Sequence, residues 1–321
     1  MSLFWDDFSG MPEDLEKVSG IIQNSIVSRN AIIKKGLENL FGGGGKLLRP
    51  ALLLIAGRFG KVQEKHYKLA AALEMLHAAT LIHDDVIDDS PLRRGLPSLH
   101  SQYGKRDAVL MGDFLLSRCF LLAAEHTSAQ NAVHLAQVIS IICTMEIEQN
   151  NDRFKCKTSL RNYRRKITGK SAVLFSLACF TGASEAKAPK AVCDRFRRIG
   201  YNIGIAFQII DDILDYAGSP ERMRKPLGTD IADGLVTMPL ICAFRLDTSD
   251  FLRAIFSREM FTHEETATIF AHVQSSGGIE EAEKYAKNYS DRALKEIACL
   301  PPGENRDMLE TLTKRMLVRK E

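Results

Sequence analysis

Asp84-Asp85-Val86-Ile87-Asp88 and Asp211-Asp212-Ile213-Leu214-Asp215 are one acidic pattern written twice, each inside an apolar stretch with helical rather than strand character. On a helix, positions i and i+4 share a face and i+1 borders it, so each motif projects carboxylates sideways from an otherwise apolar rod. Leu81-Ile82 precede the first copy and Ile209-Ile210 the second, and charged side chains are seldom set in such company without a partner. The pair implies helices that enclose a cavity faced by six carboxylates. Such a cluster repels itself, and bare carboxylates buried together would take up protons rather than stay charged. A hard divalent cation removes the conflict. Oxygen-only ligation, with no His or Cys inside either motif, favours Mg²⁺ over zinc, and Mg²⁺ completes its shell with waters and substrate phosphates.

The rest of the chain supports helices and little else. Apolar residues recur with helical period, and no alternating β-branched run bounded by hairpin signals appears. The periodicity predicts helices over about 13–40, 47–59, 64–89, 105–126, 128–154, 159–182, 189–217, 235–246, 263–275, 278–298 and 304–319, an all-α fold. Turn chemistry marks the breaks: the four glycines 42–45, Ser90-Pro91, Gly218-Ser219-Pro220, Lys225-Pro226-Leu227-Gly228, Gly277-Gly278 and Pro301-Pro302-Gly303. None is long enough for a domain linker, so residues 1–321 are expected to form a single domain.

Composition narrows the function. With 43 basic and 40 acidic residues among 321, no global field attracts nucleic acid, and phosphate binding must come from local clusters. Seven cysteines, at 119, 143, 156, 179, 193, 242 and 299, have no Cys-x-x-Cys spacing and are odd in number; they read as buried thiols in a reducing cytoplasm. The first twenty residues lack the basic start and apolar run of a secretory signal, and no stretch approaches the length of a membrane span.

His77-Ala78-Ala79-Thr80-Leu81-Ile82-His83-Asp84-Asp85-Val86-Ile87-Asp88-Asp89, followed by Arg93-Arg94-Gly95, resembles the first aspartate-rich region of the trans-polyprenyl diphosphate synthases. Gly204-Ile205-Ala206-Phe207-Gln208-Ile209-Ile210-Asp211-Asp212-Ile213-Leu214-Asp215-Tyr216 resembles the second, and the likeness runs from about Gly43 to the C-terminal end. It implies an isoprenoid synthase-type bundle of long helices around a central cavity, usually dimeric. The implied reaction joins an allylic diphosphate to isopentenyl diphosphate, releases pyrophosphate and lengthens the chain by one isoprene unit. Asp84, Asp85, Asp88, Asp211, Asp212 and Asp215 would then clamp three Mg²⁺ on the allylic diphosphate, with Arg93, Lys170 and Lys225 as further cations. Lys46, Arg49, His77 and Arg94 match the residues that hold isopentenyl diphosphate in a metal-free pocket. Lys170, Ser171 and Gln208 would lie near the ionising carbon, where oxygens stabilise positive charge. A homodimer and an apolar product that passes to the membrane complete the expectation. Gly200 and Gly204 read as close helix contacts rather than chemistry.

This sequence departs from the family pattern at Leu47, where a basic residue is frequent, and at Gly234-Leu235, where the family often has a second Gly-Lys pair. Either Arg222 or Arg224 compensates for the missing lysine, or the allylic substrate binds more weakly. Gly169-Lys170-Ser171 imitates the end of a P-loop, but Arg164 replaces the required earlier glycine. A terpene cyclase normally carries one Asp-rich motif, and a non-catalytic subunit of a heteromeric synthase loses the carboxylates that this chain keeps. The resemblance implies that Ala79 and Thr80 influence product length. Ala79 lies five residues before Asp84, about 7.5 Å down the helix axis at 1.5 Å per residue. In the family a bulky residue there stops growth at short products. The small pair here implies a medium- to long-chain product rather than farnesyl or geranylgeranyl diphosphate, with Phe114 or Phe120 as a deeper floor.

Overall fold

Twenty-four residues from Glu64 to Ile87 form one helix that carries the first motif near its C-terminal end. The computed structural model describes residues 3–42, 45–93, 95–155, 159–217, 227–247, 251–255 and 260–317. After a 3₁₀ turn at Leu3–Trp5, the helices are α1 (Met11–Ser25), α2 (Ala31–Gly42), α3 (Leu48–Gly57), α4 (Glu64–Ile87), α5 (Leu99–Tyr103), α6 (Lys105–His126), α7 (Ala129–Asn151), α8 (Leu160–Ile167), α9 (Val173–Glu185) and α10 (Lys190–Ala217). They continue as α11 (Thr229–Ala232), α12 (Met238–Leu246), α13 (Phe251–Ile255), α14 (His263–Ser275), α15 (Gly278–Ala298) and α16 (Glu304–Leu317). The fold is all-α. Among the described residues the strands are a two-residue antiparallel pair, Leu92–Arg93 with Leu96–Pro97.

Local chemistry explains where the sequence-based boundaries moved. The helix expected over 13–40 is two, because Asn30 Oδ1 accepts the N–H groups of Ile32 (2.9 Å) and Ile33 (3.2 Å) and so begins α2. The helix expected over 159–182 starts where Ser159 Oγ accepts the Asn162 N–H at 3.1 Å. It is then interrupted by a π-helical turn at Thr168–Ala172 before α9 continues. The helix expected from 235 begins at Met238, with Thr237 as N-cap and Pro239 in its first turn.

The described residues pack as two compact units, 1–135 with 177–196 and 136–176 with 197–321. In the first, α4 packs along α6 and against α1 and α3. Met11, Leu15, Val18 and Ile22 give α1 one buried face. Asp14 ties that helix to its neighbours by accepting from Arg58 at 2.9 Å and from the Tyr67 hydroxyl at 2.8 Å. In the second, Ile205, Ile209 and Ile213 of α10 pack with Tyr163, Ile167 and Ala172, with Met238 and Ile241 of α12, and with Ala282 and Ala286 of α15. A second cluster joins Tyr216, Ile231, Leu240, Leu252, Ile269 and Val273.

Gly200 and Gly204 serve packing, as expected. A Cβ on Gly200 would stand 2.3 Å from the Phe175 carbonyl oxygen, and one on Gly204 would stand 2.5 Å from the Ala172 Cα. Glycine there lets α10 lie directly on the π turn and α9. The expectation of buried thiols needs correction, because Cys143 and Cys299 are exposed while Cys119, Cys179, Cys193 and Cys242 are buried; Cys156 lies outside the described residues. Cys143 sits on an exposed side of α7 and Cys299 follows the end of α15, positions that helical period alone does not distinguish from buried ones. Among the described residues no helix is long and apolar enough to cross a membrane.

Candidate active site

The two copies of the acidic pattern differ in how their carboxylates are engaged. In the first, Asp85 is buried and holds Arg93 by two contacts, Nη2 to Oδ1 at 2.6 Å and Nε to Oδ2 at 3.1 Å. Arg93 Nη2 also donates to the Leu81 carbonyl at 3.3 Å. The two-residue strand pair brings Arg93 back over α4 for this fork-to-fork geometry, which Arg makes and Lys cannot. Burial raises the Asp85 pKa, and the hydrogen bond and charge of Arg93 offset part of that rise. Asp84 is half-buried and Asp88 exposed, so both reach solvent. Asp89 ends the helix with φ +50° and pairs with Lys105 at 3.0 Å.

In the second copy, Asp211 is exposed while Asp212 and Asp215 are buried. Asp212 Oδ2 accepts from the Tyr163 hydroxyl at 2.5 Å and the Met238 N–H at 3.3 Å, and its Oδ1 accepts from Gln208 Nε2 at 3.0 Å. The Ser171 hydroxyl donates to Gln208 Oε1 at 2.6 Å. Tyr163, Asp212, Gln208 and Ser171 therefore form one buried chain of hydrogen bonds. Burial still pushes the Asp212 pKa up to about 6, against the lowering by Tyr163, Gln208 and Lys170. Asp215 accepts from Thr229 Oγ1 at 3.0 Å and from the Asp230 N–H at 3.2 Å, which fixes the entry to α11.

Lys170 projects from the π turn, a distortion that recurs at functional sites. Its side chain reaches solvent yet is crowded by protein atoms, and that desolvation, the largest influence, would lower its pKa. The charges of Asp230, Asp212, Asp211 and Glu146 together outweigh it and the pKa is raised, so Lys170 is a cation at neutral pH.

Of the residues expected to hold the second diphosphate, Arg49 is buried and its pKa falls to about 10 through desolvation, partly countered by Glu74. Glu74 lies one turn from His77 on α4, so α3 delivers Arg49 to the helix that carries His77. Lys46 is exposed, with its ammonium 4.9 Å from the centroid of the Phe4 ring and its carbonyl accepting the Trp5 indole N–H at 2.9 Å. Leu47, the departure from the family pattern, takes the left-handed conformation with φ +48° at the start of α3. Arg94, Lys225, Arg222 and Arg224 lie outside the described residues. Leu235 is half-buried, its N–H bound to the Asp230 carbonyl at 2.8 Å.

Ala79 is fully buried and Thr80 half-buried, with its hydroxyl donating to the His77 carbonyl. Of the two residues expected as a deeper floor, Phe114 is half-buried. Phe120 is 45% exposed, and the apolar cavity of this unit is lined from the same helix by Cys119 and Ala123. Cys119 and Ala123 sit one residue before and three residues after Phe120, about 100° and 60° from it on the same side of the helix, so they share an inward face while Phe120 turns outward.

Sequence reasoning missed Tyr163, Thr229 and Asp230. Tyr163 stands two helical turns before Lys170, a spacing that signals a shared face but not a partner 49 residues away. Among the described residues no three His, Cys, Asp or Glu side chains converge as a ready-made metal cage. Solvent-reaching carboxylates of Asp84, Asp88 and Asp211 nevertheless suit Mg²⁺, which binds through one or two carboxylates and takes its remaining ligands from water and phosphate.

Residues 30–273 match the family model described as polyprenyl synthetase. The chain is 36% identical over 314 residues to the chloroplastic solanesyl-diphosphate synthase 2 of Oryza sativa subsp. japonica, covering 96% of this chain and 77% of that protein. It is 35% identical to heptaprenyl diphosphate synthase component 2 of Geobacillus stearothermophilus, covering 95% of each. A solved polyprenyl synthase from Caulobacter crescentus CB15, complexed with calcium and isoprenyl diphosphate, superposes with a TM-score of 0.91 at 34% identity over 97% of this chain and 96% of that one. Duplicated acidic helices, a cation set among carboxylates and these likenesses agree: the chain belongs to the polyprenyl synthetase family, a family of prenyltransferases.

Proposed function

We propose that this chain joins an allylic diphosphate to isopentenyl diphosphate in a Mg²⁺-dependent condensation that releases pyrophosphate and builds a medium- to long-chain polyprenyl diphosphate. The observation that carries the reading is the cationic Lys170 beside a solvent-reaching Asp211 and an immobilised Gln208, a setting for a leaving diphosphate and an adjacent carbocation. The solanesyl and heptaprenyl names of the relatives support a product beyond geranylgeranyl diphosphate. On this reading residues 1–321 act as one catalytic domain.

Asp84, Asp88 and Asp211 would hold Mg²⁺, which supplies charge stabilisation to a departing pyrophosphate. Asp85, Asp212 and Asp215 support the site by fixing Arg93, Gln208 and the start of α11. Arg93 and Lys170 present cations to the allylic diphosphate, with Lys225 assigned the same role. Arg49, Lys46, His77 and Arg94 bind isopentenyl diphosphate. Gln208, locked between Ser171 and Asp212, offers its amide dipole to the ionised carbon.

The same reading makes the chain a cytoplasmic homodimer. Phe120 and Leu121, 45% and 43% exposed, and Leu110, 53% exposed, leave apolar side chains of α6 uncovered, with Asp113 and Ser117 exposed between them, and a second copy would bury them. The component 2 relative favours a rival in which a small partner subunit is required. Purified chain, assayed alone with an allylic diphosphate and isopentenyl diphosphate with and without a chelator, decides both points. Turnover that survives metal removal would refute the metal assignment, and turnover that appears only on adding a second protein would favour the rival.

A further inference from the structure

The unit formed by residues 1–135 and 177–196 contains a narrow apolar cavity, about 370 Å³ of atom-free space including its open mouth. Leu69, Ala72 and Leu73 of α4, Cys119 and Ala123 of α6 and Leu177 of α9 line most of it. Thr127, Asn131 and Thr181 add polar groups. The order along each helix is the same. Moving away from Asp84, α4 passes Leu73 and Leu69 and reaches Lys65; α6 passes Cys119 and Ala123 before Thr127; α9 passes Leu177 and Thr181 before Glu185.

One turn beyond the last lining residues of α4 and α9, Lys65 Nζ meets Glu185 Oε2 at 2.6 Å. Only 6% of the Glu185 side chain is exposed. Its other oxygen accepts from Thr127 Oγ1 at 2.7 Å, the Ser128 N–H at 3.0 Å and Asn131 Nδ2 at 2.6 Å. The apolar cavity thus ends on a hydrogen-bonded layer built around a buried carboxylate. Leu69, Leu73, Thr80 and Asp84 fall within an arc of about 60° on α4, at 3.6 residues per turn. The first motif and the cavity lining therefore share one face of one helix.

We propose that the Lys65–Glu185 pair, with Thr127 and Asn131, is the floor that stops growth of the prenyl chain. The proposal rests on the elongation reading above and names the residues that set product length. A hydrocarbon advancing past Leu69 must part an ion pair whose carboxylate is buried and displace hydrogen bonds for which it offers no replacement. It gains apolar contact up to that layer and loses far more beyond it. Asp84 and Lys65 are 19 residues apart, about 28 Å along the helix axis. An extended isoprene unit of four chain bonds, each about 1.5 Å long, spans roughly 5 Å. The floor therefore stands about six isoprene units from the first motif.

The test is product length. The paired variant Lys65→Ala with Glu185→Ala removes both charges together and leaves no lone buried ion. Wild type and variant are incubated with an allylic primer and labelled isopentenyl diphosphate, and products are resolved by reversed-phase chromatography. The variant is expected to extend its longest major product by at least one isoprene unit while the rate of the first condensation is unchanged. Should circular dichroism find the pair unfolded, Asn131→Ala, which keeps the ion pair, carries the same expectation. Ala72→Phe, which fills the cavity two turns short of Lys65, is expected to shorten the product. A folded floor variant with the wild-type product spectrum overturns the proposal while leaving the elongation reading intact. A wild type that makes no polyprenyl diphosphate overturns both.

Discussion

Replacing Glu185 by Gln keeps the shape of the buried side chain and removes its charge, so the effect on stability follows from how strongly the fold favours the carboxylate. Burial alone would raise its pKa; donation from Lys65, the Ser128 N–H, Thr127 and Asn131 more than offsets that and holds it at about 2, against an ordinary 4.5. At about 1.4 kcal/mol per pKa unit, the native state favours the charged form by roughly 3 kcal/mol. Because the folded pKa is the lower one, this stability is fully present above pH 4.5 and is lost as pH falls through about 2. At pH 3 linkage leaves roughly 1.4 kcal/mol, less than half. Lys65 keeps 26% of its side chain exposed, so losing its partner adds little of its own. Urea unfolding followed by circular dichroism at pH 7 and pH 3 measures the difference between wild type and Glu185→Gln. Equal losses at the two pH values, or a loss below about 1 kcal/mol at pH 7, would show that the carboxylate is not held charged by its neighbours.

Three further substitutions probe the site. Tyr163→Phe removes a hydrogen bond to a buried carboxylate and is expected to cost about 1.5–3 kcal/mol in urea unfolding at pH 7. Because the Asp212 pKa already stands near 6, above its ordinary 3.8, its stabilising contribution is complete below 3.8 and fades as pH rises through 6. Losing Tyr163 moves that window upward, and a pH-independent loss would refute the coupling. Arg49→Ala is expected to raise the KM for isopentenyl diphosphate roughly 10- to 100-fold, as expected for a lost contact to a charged group, while Asp211→Ala lowers turnover with little change in that KM. Similar effects of both on isopentenyl diphosphate affinity would contradict separate pockets. Ala79→Phe, at a fully buried position, is expected to destabilise by about 1–3 kcal/mol through overpacking and to shorten the product. An unchanged product from the folded variant would place the length determinant elsewhere.

The sequence by itself determined the all-α fold, the two acidic helices and the family. Those properties are written in local spacing: an i, i+1, i+4 set of aspartates in an apolar run can be satisfied only by a helix beside a polar cavity. Spacing also identified Gly200 and Gly204 as packing positions. It missed the break before Asn30, whose capping side chain was legible, and the π turn at Lys170, which no residue type announces. Tertiary structure alone decided which carboxylates of each motif reach solvent and which are anchored. Asp85 and Asp212 occupy the same place in their motifs, yet one is held by Arg93 eight residues on and the other by Tyr163 from 49 residues away. The polar floor is likewise invisible in the chain, because Lys65 and Glu185 are 120 residues apart and neither lies in a motif. Helical period records the direction of a side chain from its own backbone, whereas its partner, its burial and therefore its charge depend on which other helix arrives opposite it.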